Sequence, residues 1–408
     1  MKDSVRDFLR SAVLKRETVD LFLKPRAACW ARHDPVLGYT YRNALIRDGM
    51  DGAHTVCTYA PTGERRMLAF ADRPCRINTY GNSFTQGVQV SDGETWQETL
   101  AAHFGEPIRN FGVGGYGVYQ AYLRMVRVET TPGLGAPYVI LNLWGDDHHR
   151  SLMAWRWLAC FEHWSQAAAD ETFHFPTWAH VRIDPATGGL VERPNPCPSP
   201  ESLYRLCDAR QVVEMFEDDV VVRMQVAQRK GAALDVAPLE ELARALELDL
   251  DFRSPDALPA SAQALINACA WRATMLLAEK AQAFCREHGK QLLVLLSYPE
   301  GEVAAACGGA DRDAPGFMDW HPLALRRHLA EKGIRTVDSL PKHVADYAAF
   351  RPDPAAYVKR YYIGHYNPLG NHFFAFAIKD DLLAWLDPKP PTYQPGGDIV
   401  RFQGYLPE

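Results

Sequence analysis

The chain has 408 residues, of which 47% are hydrophobic and 23% are charged. This composition is typical of globular proteins and excludes a mostly disordered chain, a collagen-like chain and a small disulfide scaffold. The 44 Lys and Arg residues against 50 Asp and Glu residues leave a formal net charge of −6, which argues against nucleic acid as the main ligand.

The sequence has no run of about 18 apolar residues, so we expect no membrane-spanning helix. Its nine cysteines include no C-x-x-C pair. Asp3 and Asp7 interrupt the apolar segment that a signal peptide needs. These patterns predict reduced thiols and a cytoplasmic location.

Residues 1–75 are predicted to form an N-terminal helix and a small β-rich extension. Val5, Phe8 and Leu9 follow helical spacing over residues 1–25, and Pro25 ends that segment. Short strands separated by turn-forming residues are predicted over 33–75. We interpret this region as a packing or lid extension.

Residues 76–149 alternate β-rich runs with helical ones. Three of the β-rich runs end in polar or glycine-rich segments, at 81–83, 112–117 and 144–147. The alternation resumes over residues 260–388, which contain two further predicted strands. This pattern predicts an α/β core with a parallel sheet of about five strands, and such sheets bind ligands at their carboxyl edge.

Residues 150–259 interrupt the core pattern, and we interpret them as a helical, aromatic insertion that caps the site; residues 389–408 are a C-terminal tail. Trp155, Trp157 and Trp164 have a spacing that favours core or cap packing over stacking on sugar rings. Arg150 and Arg156 are candidates for holding an anionic substrate, although charged side chains most often lie in solvent.

Ser83 lies directly after a short β-rich run, in the segment Gly81-Asn82-Ser83-Phe84. Small residues at such a turn allow a tight backbone bend that exposes the hydroxyl. A serine there is a candidate nucleophile if a base accepts its proton, and its own N–H can stabilise an oxyanion. The competing interpretation is a serine that caps the next segment.

Three further segments carry chemistry. The glycine-rich loop at residues 110–117 allows backbone N–H groups to approach an anionic oxygen. The segment 145–149 contains Asp146, Asp147 and two histidines after the third strand. His365 precedes the last helix, and histidine is the usual base for a serine because its pKa lies near neutrality.

Together these four segments resemble the SGNH/GDSL hydrolase superfamily. Residues 81–85 resemble the family's Gly-Asp-Ser-Phe-Thr, and residues 110–116 resemble its Asn-x-Gly-Val-x-Gly-Tyr. Residues 145–147 resemble the Gly-x-Asn-Asp block, and residues 363–370 resemble the terminal Asp-x-His-x-Asn-x-x-Gly block. The resemblance covers roughly residues 76–149 and 260–386.

The resemblance implies a three-layer α/β/α sandwich with a flavodoxin-like sheet, and cleavage or transfer of an acyl ester, often from sugars. Ser83 would be the nucleophile and His365 the base, with the Ser83 and Gly115 amides as oxyanion donors. Asn82, Asp146 and Asn367 occupy further block positions at the oxyanion or substrate site. The expected partner is a small-molecule ester, and no metal or organic cofactor is implied.

Two positions depart from the family pattern. Asp146 replaces the asparagine of the third block, and an ionised carboxylate there would repel an oxyanion unless its pKa were strongly raised. Tyr362 and Ile363 occupy the two positions that usually supply the triad acid. A carbonyl or another residue can orient the histidine instead, and Asp353, Asp338 and Asp146 are the candidates by charge.

Three interpretations follow. The first is an esterase or deacylase with a Ser83–His365 pair, in which Asp146 is protonated or turned aside. The second is an acyltransferase of the same fold, and the third is a repurposed fold in which Asp146 has a new role. A metal site built from residues 146–149 and His365 is a weaker alternative, because adjacent residues rarely point at one ion.

Overall fold

The computed structural model describes residues 4–24, 30–163, 175–314, 319–350 and 353–394. Trp164, Cys29 and the tail beyond residue 394 lie outside these ranges. The strands are β1 (Ala31–Asp34), β2 (Gly38–Tyr41), β3 (Ala44–Ile46), β4 (Thr55–Cys57), β5 (Ile77–Tyr80), β6 (Arg109–Asn110), β7 (Tyr138–Trp144), β8 (His180–Ile183), β9 (Leu190–Arg193), β10 (Gln291–Ser297) and β11 (Arg335–Asp338).

The helices are described in chain order over the same ranges. They are α1 (Ser4–Ser11), α2 (Arg16–Leu23), α3 (Ser83–Gln86), α4 (Trp96–Phe104), α5 (Val118–Glu129), α6 (Asp147–Leu152), α7 (Trp157–Cys160), α8 (Ala209–Phe216), α9 (Val220–Ala227), α10 (Ala237–Ala245), α11 (Leu258–Glu287), α12 (Glu300–Cys307), α13 (Leu323–Glu331), α14 (Leu340–Phe350), α15 (Pro354–Tyr361) and α16 (Pro368–Trp385). Within the described ranges, no helix combines the length and apolar character needed to cross a bilayer.

A five-stranded parallel sheet lies at the centre of the α/β core, in the order β11-β10-β7-β5-β6. The central strand β7 is buried on both faces, so its run of Val, Ile and Leu is continuous rather than alternating. Ile140 of this strand pairs with Thr79 on one side and Leu293 on the other. The predicted α/β class and the parallel sheet of five strands are confirmed.

The loops that carry the candidate residues leave the sheet at one edge. Because β5, β6 and β7 are parallel, their carboxyl ends bring together Ser83, the glycine-rich loop after β6 and the start of α6. The loop after β6 is bonded to the turn after β5 through the Val113 N–H and the Gly81 carbonyl, at 3.1 Å.

A second hydrophobic core joins the N-terminal extension to the insertion. Phe8 of α1 and Phe22 of α2 belong to it together with Trp155, Trp157 and Phe216. The Trp157 indole N–H donates to the carbonyl of Ala12 at 2.7 Å, which ties the two segments directly. The extension and the insertion, which the sequence suggested as separate units, therefore share one core.

One local prediction in these segments was wrong, and another was incomplete. The predicted single helix over residues 1–25 is two helices, α1 and α2, because residues 12–15 leave the helical conformation where Ala12 and Leu14 turn into the second core. The insertion predicted as helical also contains the antiparallel hairpin β8–β9. Trp155 and Trp157 are fully buried, so they pack in this core and present no face to a sugar.

Candidate active site

Ser83 is the first residue of α3, held in a tightly capped turn. The Asn82 side chain accepts a hydrogen bond from the Phe84 N–H at 2.8 Å, as an N-cap residue does. Gly81 has φ +155°, and a Cβ there would lie 2.7 Å from the Asn142 carbonyl oxygen. Asn82 thus holds the turn that carries Ser83, and it is not among the residues that line the cleft.

His365 meets Ser83 across 282 residues of chain. Its Nε2 lies 2.8 Å from the Ser83 Oγ, and its ring packs against Phe84 with centroids 4.9 Å apart. His365 lies in the short loop between α15 and α16. Asn367 caps α16 by accepting from the Gly370 N–H at 2.8 Å, so it supports the loop from behind and, like Asn82, lies outside the cleft lining.

The residue that orients His365 is Gln89, which the sequence did not suggest. Its Oε1 accepts from the His365 backbone N–H at 2.8 Å and from the ring Nδ1 at 3.1 Å, while its Nε2 donates to the Asp48 carbonyl at 3.1 Å. These three contacts fix which end of the amide is oxygen. The Nδ1 therefore carries the proton, and the Nε2 lone pair accepts from the Ser83 hydroxyl.

None of the three carboxylates suggested as the orienting group contacts the His365 ring. Asp353 caps α15 by accepting from the N–H groups of Ala355 and Ala356, and Asp338 pairs with Arg312 at 2.8 Å. These carboxylates instead cap a helix or pair with a cation. The neutral amide of Gln89, in the turn after α3, contacts the His365 ring in their place. The only signal for Gln89 in the sequence is its closeness to Ser83.

The electrostatic surroundings keep His365 neutral. Burial lowers its pKa, and the nearby positive charge of Arg150 lowers it further, to about 4. Gln89 adds no negative charge that would oppose these effects. At neutral pH the imidazole is therefore ready to accept a proton.

Arg150 and Asp146 form an ion pair beside the cleft. Arg150 Nε donates to one carboxylate oxygen of Asp146 at 3.1 Å, and its Nη2 donates to the other. Burial alone would raise the pKa of Asp146, but Arg150 and Arg156 outweigh it and hold this pKa below its usual value. Asp146 is thus ionised and turned toward Arg150, and the version of the esterase interpretation with a protonated Asp146 is not supported.

Asp147 connects this ion pair to the nucleophile turn. Its Oδ1 accepts from Asn82 at 2.8 Å and from Arg150 at 2.9 Å, and its Oδ2 accepts from the Trp144 N–H at 3.0 Å. Burial raises its pKa to about 7 in spite of the Arg150 charge. The buried Arg150 is therefore part of a bonded network, rather than a charge in solvent as its residue type suggested.

The residues of the metal alternative point to different partners. The His148 ring contacts Thr274 and His321, and the His149 ring contacts Asn267 at 2.8 Å. Over the described ranges, the structure contains no group of three His, Cys, Asp or Glu side chains arranged to hold a metal ion.

The backbone around Gly115 forms the second element of the site. Gly115 has φ +83° and lines the cleft with Ser83. Among the described residues, the N–H groups of Ser83 and Gly115 have no protein acceptor, whereas the Gly114 N–H donates to Gln86 Oε1 at 2.9 Å. Two backbone donors are thus available beside the serine hydroxyl.

Ser83 and His365 open into a cleft of about 340 Å³ between the sheet edge and the N-terminal extension. Residues of the extension form much of the cleft lining, so the extension is part of the site and does more than pack against the core. Arg156, predicted as a candidate for anions, also reaches this cleft. The lining residues are Trp30, Tyr41, Arg42, Ala44, Ile46, Asp48, Cys57, Tyr59, Ser83, Gln86, Val88, Gln89, Gly114, Gly115, Trp144, Arg150, Arg156, Gly364 and His365.

No protein-family model matches the chain, and no curated protein matches it.

Proposed function

We propose that the protein is a serine acyl hydrolase of the SGNH type, acting on the ester of a small molecule. The observation that carries this proposal is the 2.8 Å contact between Ser83 Oγ and His365 Nε2 in the lining of a cleft. A hydroxyl within hydrogen-bond reach of a neutral imidazole is an activated nucleophile. The cleft volume falls within the range of small-molecule sites.

The strand order supports the same family fold. Numbered within the sheet, the five parallel strands run 2-1-3-4-5, the order of flavodoxin-like sheets. The proposed arrangement is a three-layer α/β/α sandwich with the catalytic groups at the carboxyl edge. Residues 76–149 and 260–388 would form this sandwich.

The proposed reaction begins when Ser83 Oγ attacks the acyl carbon and its proton moves to His365 Nε2. The carbonyl oxygen becomes an oxyanion that accepts from the Ser83 and Gly115 N–H groups. The carbon–oxygen bond to the alcohol then breaks, and the alkoxide takes the proton from Nε2. Water repeats the sequence on the acyl-enzyme, releasing the acid and restoring Ser83, while Gln89 holds the Nδ1–H throughout.

Labelling with a fluorophosphonate probe tests the proposal, together with release of p-nitrophenol from p-nitrophenyl acetate. We expect peptide mapping to place the label on Ser83, and both Ser83→Ala and His365→Asn to remove label and turnover. Ser202→Ala is the matched control, because its hydroxyl donates to the Ser199 carbonyl outside the cleft. A folded wild-type protein with neither label nor turnover would contradict the proposal and favour the repurposed fold.

Hydrolysis and transfer share the acyl-enzyme and differ in what attacks it. Adding an alcohol or a free sugar during turnover of the aryl ester separates them. We expect p-nitrophenol release to be accompanied by free acid as the main acyl product. An acylated alcohol or sugar as the main product, with Ser83 still labelled, would identify the protein as an acyltransferase.

A further inference from the structure

The carbonyl of Gly114 accepts two tyrosine hydroxyls from the N-terminal extension. Tyr39 Oη lies 2.6 Å from the Gly114 oxygen and Tyr41 Oη lies 3.1 Å from it. Both phenols are buried, and burial raises both pKa values, so they remain protonated donors at any physiological pH.

This carbonyl belongs to the same peptide group as the Gly115 N–H. Hydrogen bonds accepted by an amide oxygen draw electron density toward it and make the N–H of that amide a stronger donor, and the effect is larger where the dielectric constant is low. The Gly115 N–H has no acceptor among the described residues, and Gly115 lines the cleft together with Ser83.

Close packing fixes this peptide against the nucleophile. A Cβ on Gly114 would lie 2.7 Å from the Tyr41 hydroxyl, 3.0 Å from Gln86 Oε1 and 3.5 Å from the Ser83 Cβ. Glycine is thus the residue that allows the tyrosines, the amide of Gln86 and the nucleophile to meet at this point.

The third-block position supplies no oxyanion donor here, and the Gly114–Gly115 peptide would take over that role. The side chain at the third-block position is the ionised carboxylate of Asp146, which Arg150 holds through both oxygens. A carboxylate has no proton to give an oxyanion, so this side chain cannot be a donor, and the Ser83 and Gly115 N–H groups are the proposed donors.

We propose that Tyr39 and Tyr41 are positioning residues that orient and polarise the Gly114–Gly115 peptide, making the Gly115 N–H the principal oxyanion donor. This inference rests on the proposed acyl-transfer chemistry of Ser83. It gives the N-terminal extension an indirect part in the proposed catalysis, through the Gly114–Gly115 peptide.

Tyr39→Phe, Tyr41→Phe and the double variant test the inference. We expect each single change to lower kcat/KM for p-nitrophenyl acetate by about 3- to 10-fold through kcat, with KM unchanged, since a donor is weakened rather than removed. The affinity for a trifluoromethyl ketone, which forms an oxyanion on Ser83, should fall by the same factor. The amide proton resonance of Gly115 should move upfield in each variant, a readout that needs no turnover.

Tyr138→Phe is the matched control, because that buried phenol donates to the Asp387 carbonyl at the amino end of β7 and not to Gly114. We expect its kcat and its Gly115 resonance to stay at wild-type values. Folded Phe variants of Tyr39 and Tyr41 with wild-type kcat, ketone affinity and Gly115 resonance would overturn the inference, as would losses confined to KM. Tyr41→Phe alone decides the question if the more deeply buried Tyr39 does not tolerate substitution.

The two proposals fail in distinguishable ways. A wild-type protein that takes no fluorophosphonate label contradicts the hydrolase proposal, and this inference falls with it. A labelled wild-type protein whose tyrosine variants behave like wild type contradicts only the role of Tyr39 and Tyr41.

Discussion

The side-chain oxygen of Gln89 accepts hydrogen bonds from both the backbone N–H and the ring Nδ1–H of His365, at 2.8 and 3.1 Å. A triad acid normally provides this orientation together with a negative charge that stabilises the imidazolium. Gln89 provides the orientation alone. Because Gln89 adds no negative charge, nothing at Nδ1 offsets burial and Arg150, which lower the pKa of His365 to about 4.

The first prediction concerns the pH dependence of catalysis. Under the proposed mechanism, kcat/KM of the wild-type protein should lose half its value near pH 4, because below its pKa the imidazole of His365 is protonated and accepts no proton from Ser83. Gln89→Glu introduces a carboxylate beside Nδ1, which favours the imidazolium, so this midpoint should rise by about one to two pH units. Gln89→Ala should lower kcat by about 10- to 100-fold through loss of ring orientation.

NMR of the His365 Cε1 proton as a function of pH measures the change in the His365 pKa directly, without turnover. Gln228→Glu, which adds a carboxylate outside the cleft lining, is the control and should leave the His365 titration unchanged. An identical His365 pKa in wild type and Gln89→Glu would show that Gln89 does not hold the ring.

The second prediction concerns Asp146. We expect Asp146→Asn to keep Ser83 labelling within about threefold of wild type, because both carboxylate oxygens of Asp146 face Arg150 and not the serine. The melting temperature should fall, since removing the charge of Asp146 leaves the buried Arg150 with Asp147 as its remaining carboxylate. Fluorophosphonate labelling rates and thermal unfolding measure the two effects. Complete loss of labelling in a folded variant would assign the carboxylate a chemical task of its own.

The third prediction concerns the contact between the glycine-rich loop and α3. A Cβ on Gly112 would lie 2.3 Å from the Gln86 nitrogen and 2.7 Å from the Thr85 carbonyl carbon, and neither backbone atom can move independently. Gly112→Ala should therefore separate the glycine-rich loop from α3 and Ser83. We expect a loss of about 2 kcal/mol or more in the free energy of unfolding, by denaturant titration, and a large loss of labelling.

Gly301→Ala is the control for that substitution. Gly301 lies in α12, and a Cβ there meets no atom within 4 Å. Removing a helical glycine should stabilise the fold by about 0.4–1 kcal/mol. Equal stability of the Gly112 and Gly301 variants would contradict the close packing described for the loop.

Much of the fold was predictable from local patterns. Continuous apolar runs such as residues 138–143 and 291–297 predicted buried parallel strands, because strands covered on both faces need apolar residues at every position. The glycines and polar residues at the strand ends predicted which edge carries the site. Ser83 was proposed for the same reason, since it follows β5, whereas His365 was proposed as the histidine before the last helix and lies in the loop between α15 and α16.

The orienting group and the walls of the cleft depended on tertiary structure. Gln89 carries no charge and follows no motif, so only the folded loop shows that its amide reaches His365. Asp146 was ambiguous in sequence because an isolated aspartate can be protonated or ionised, and the position of Arg150 decides between them. Tyr39 and Tyr41 are ordinary strand residues until the extension folds against the glycine-rich loop, about 75 residues away. Secondary structure depends mainly on residues close together in the chain, so the sequence predicts it. Hydrogen bonds between residues far apart in the chain depend on how the elements pack, so only the tertiary structure shows them.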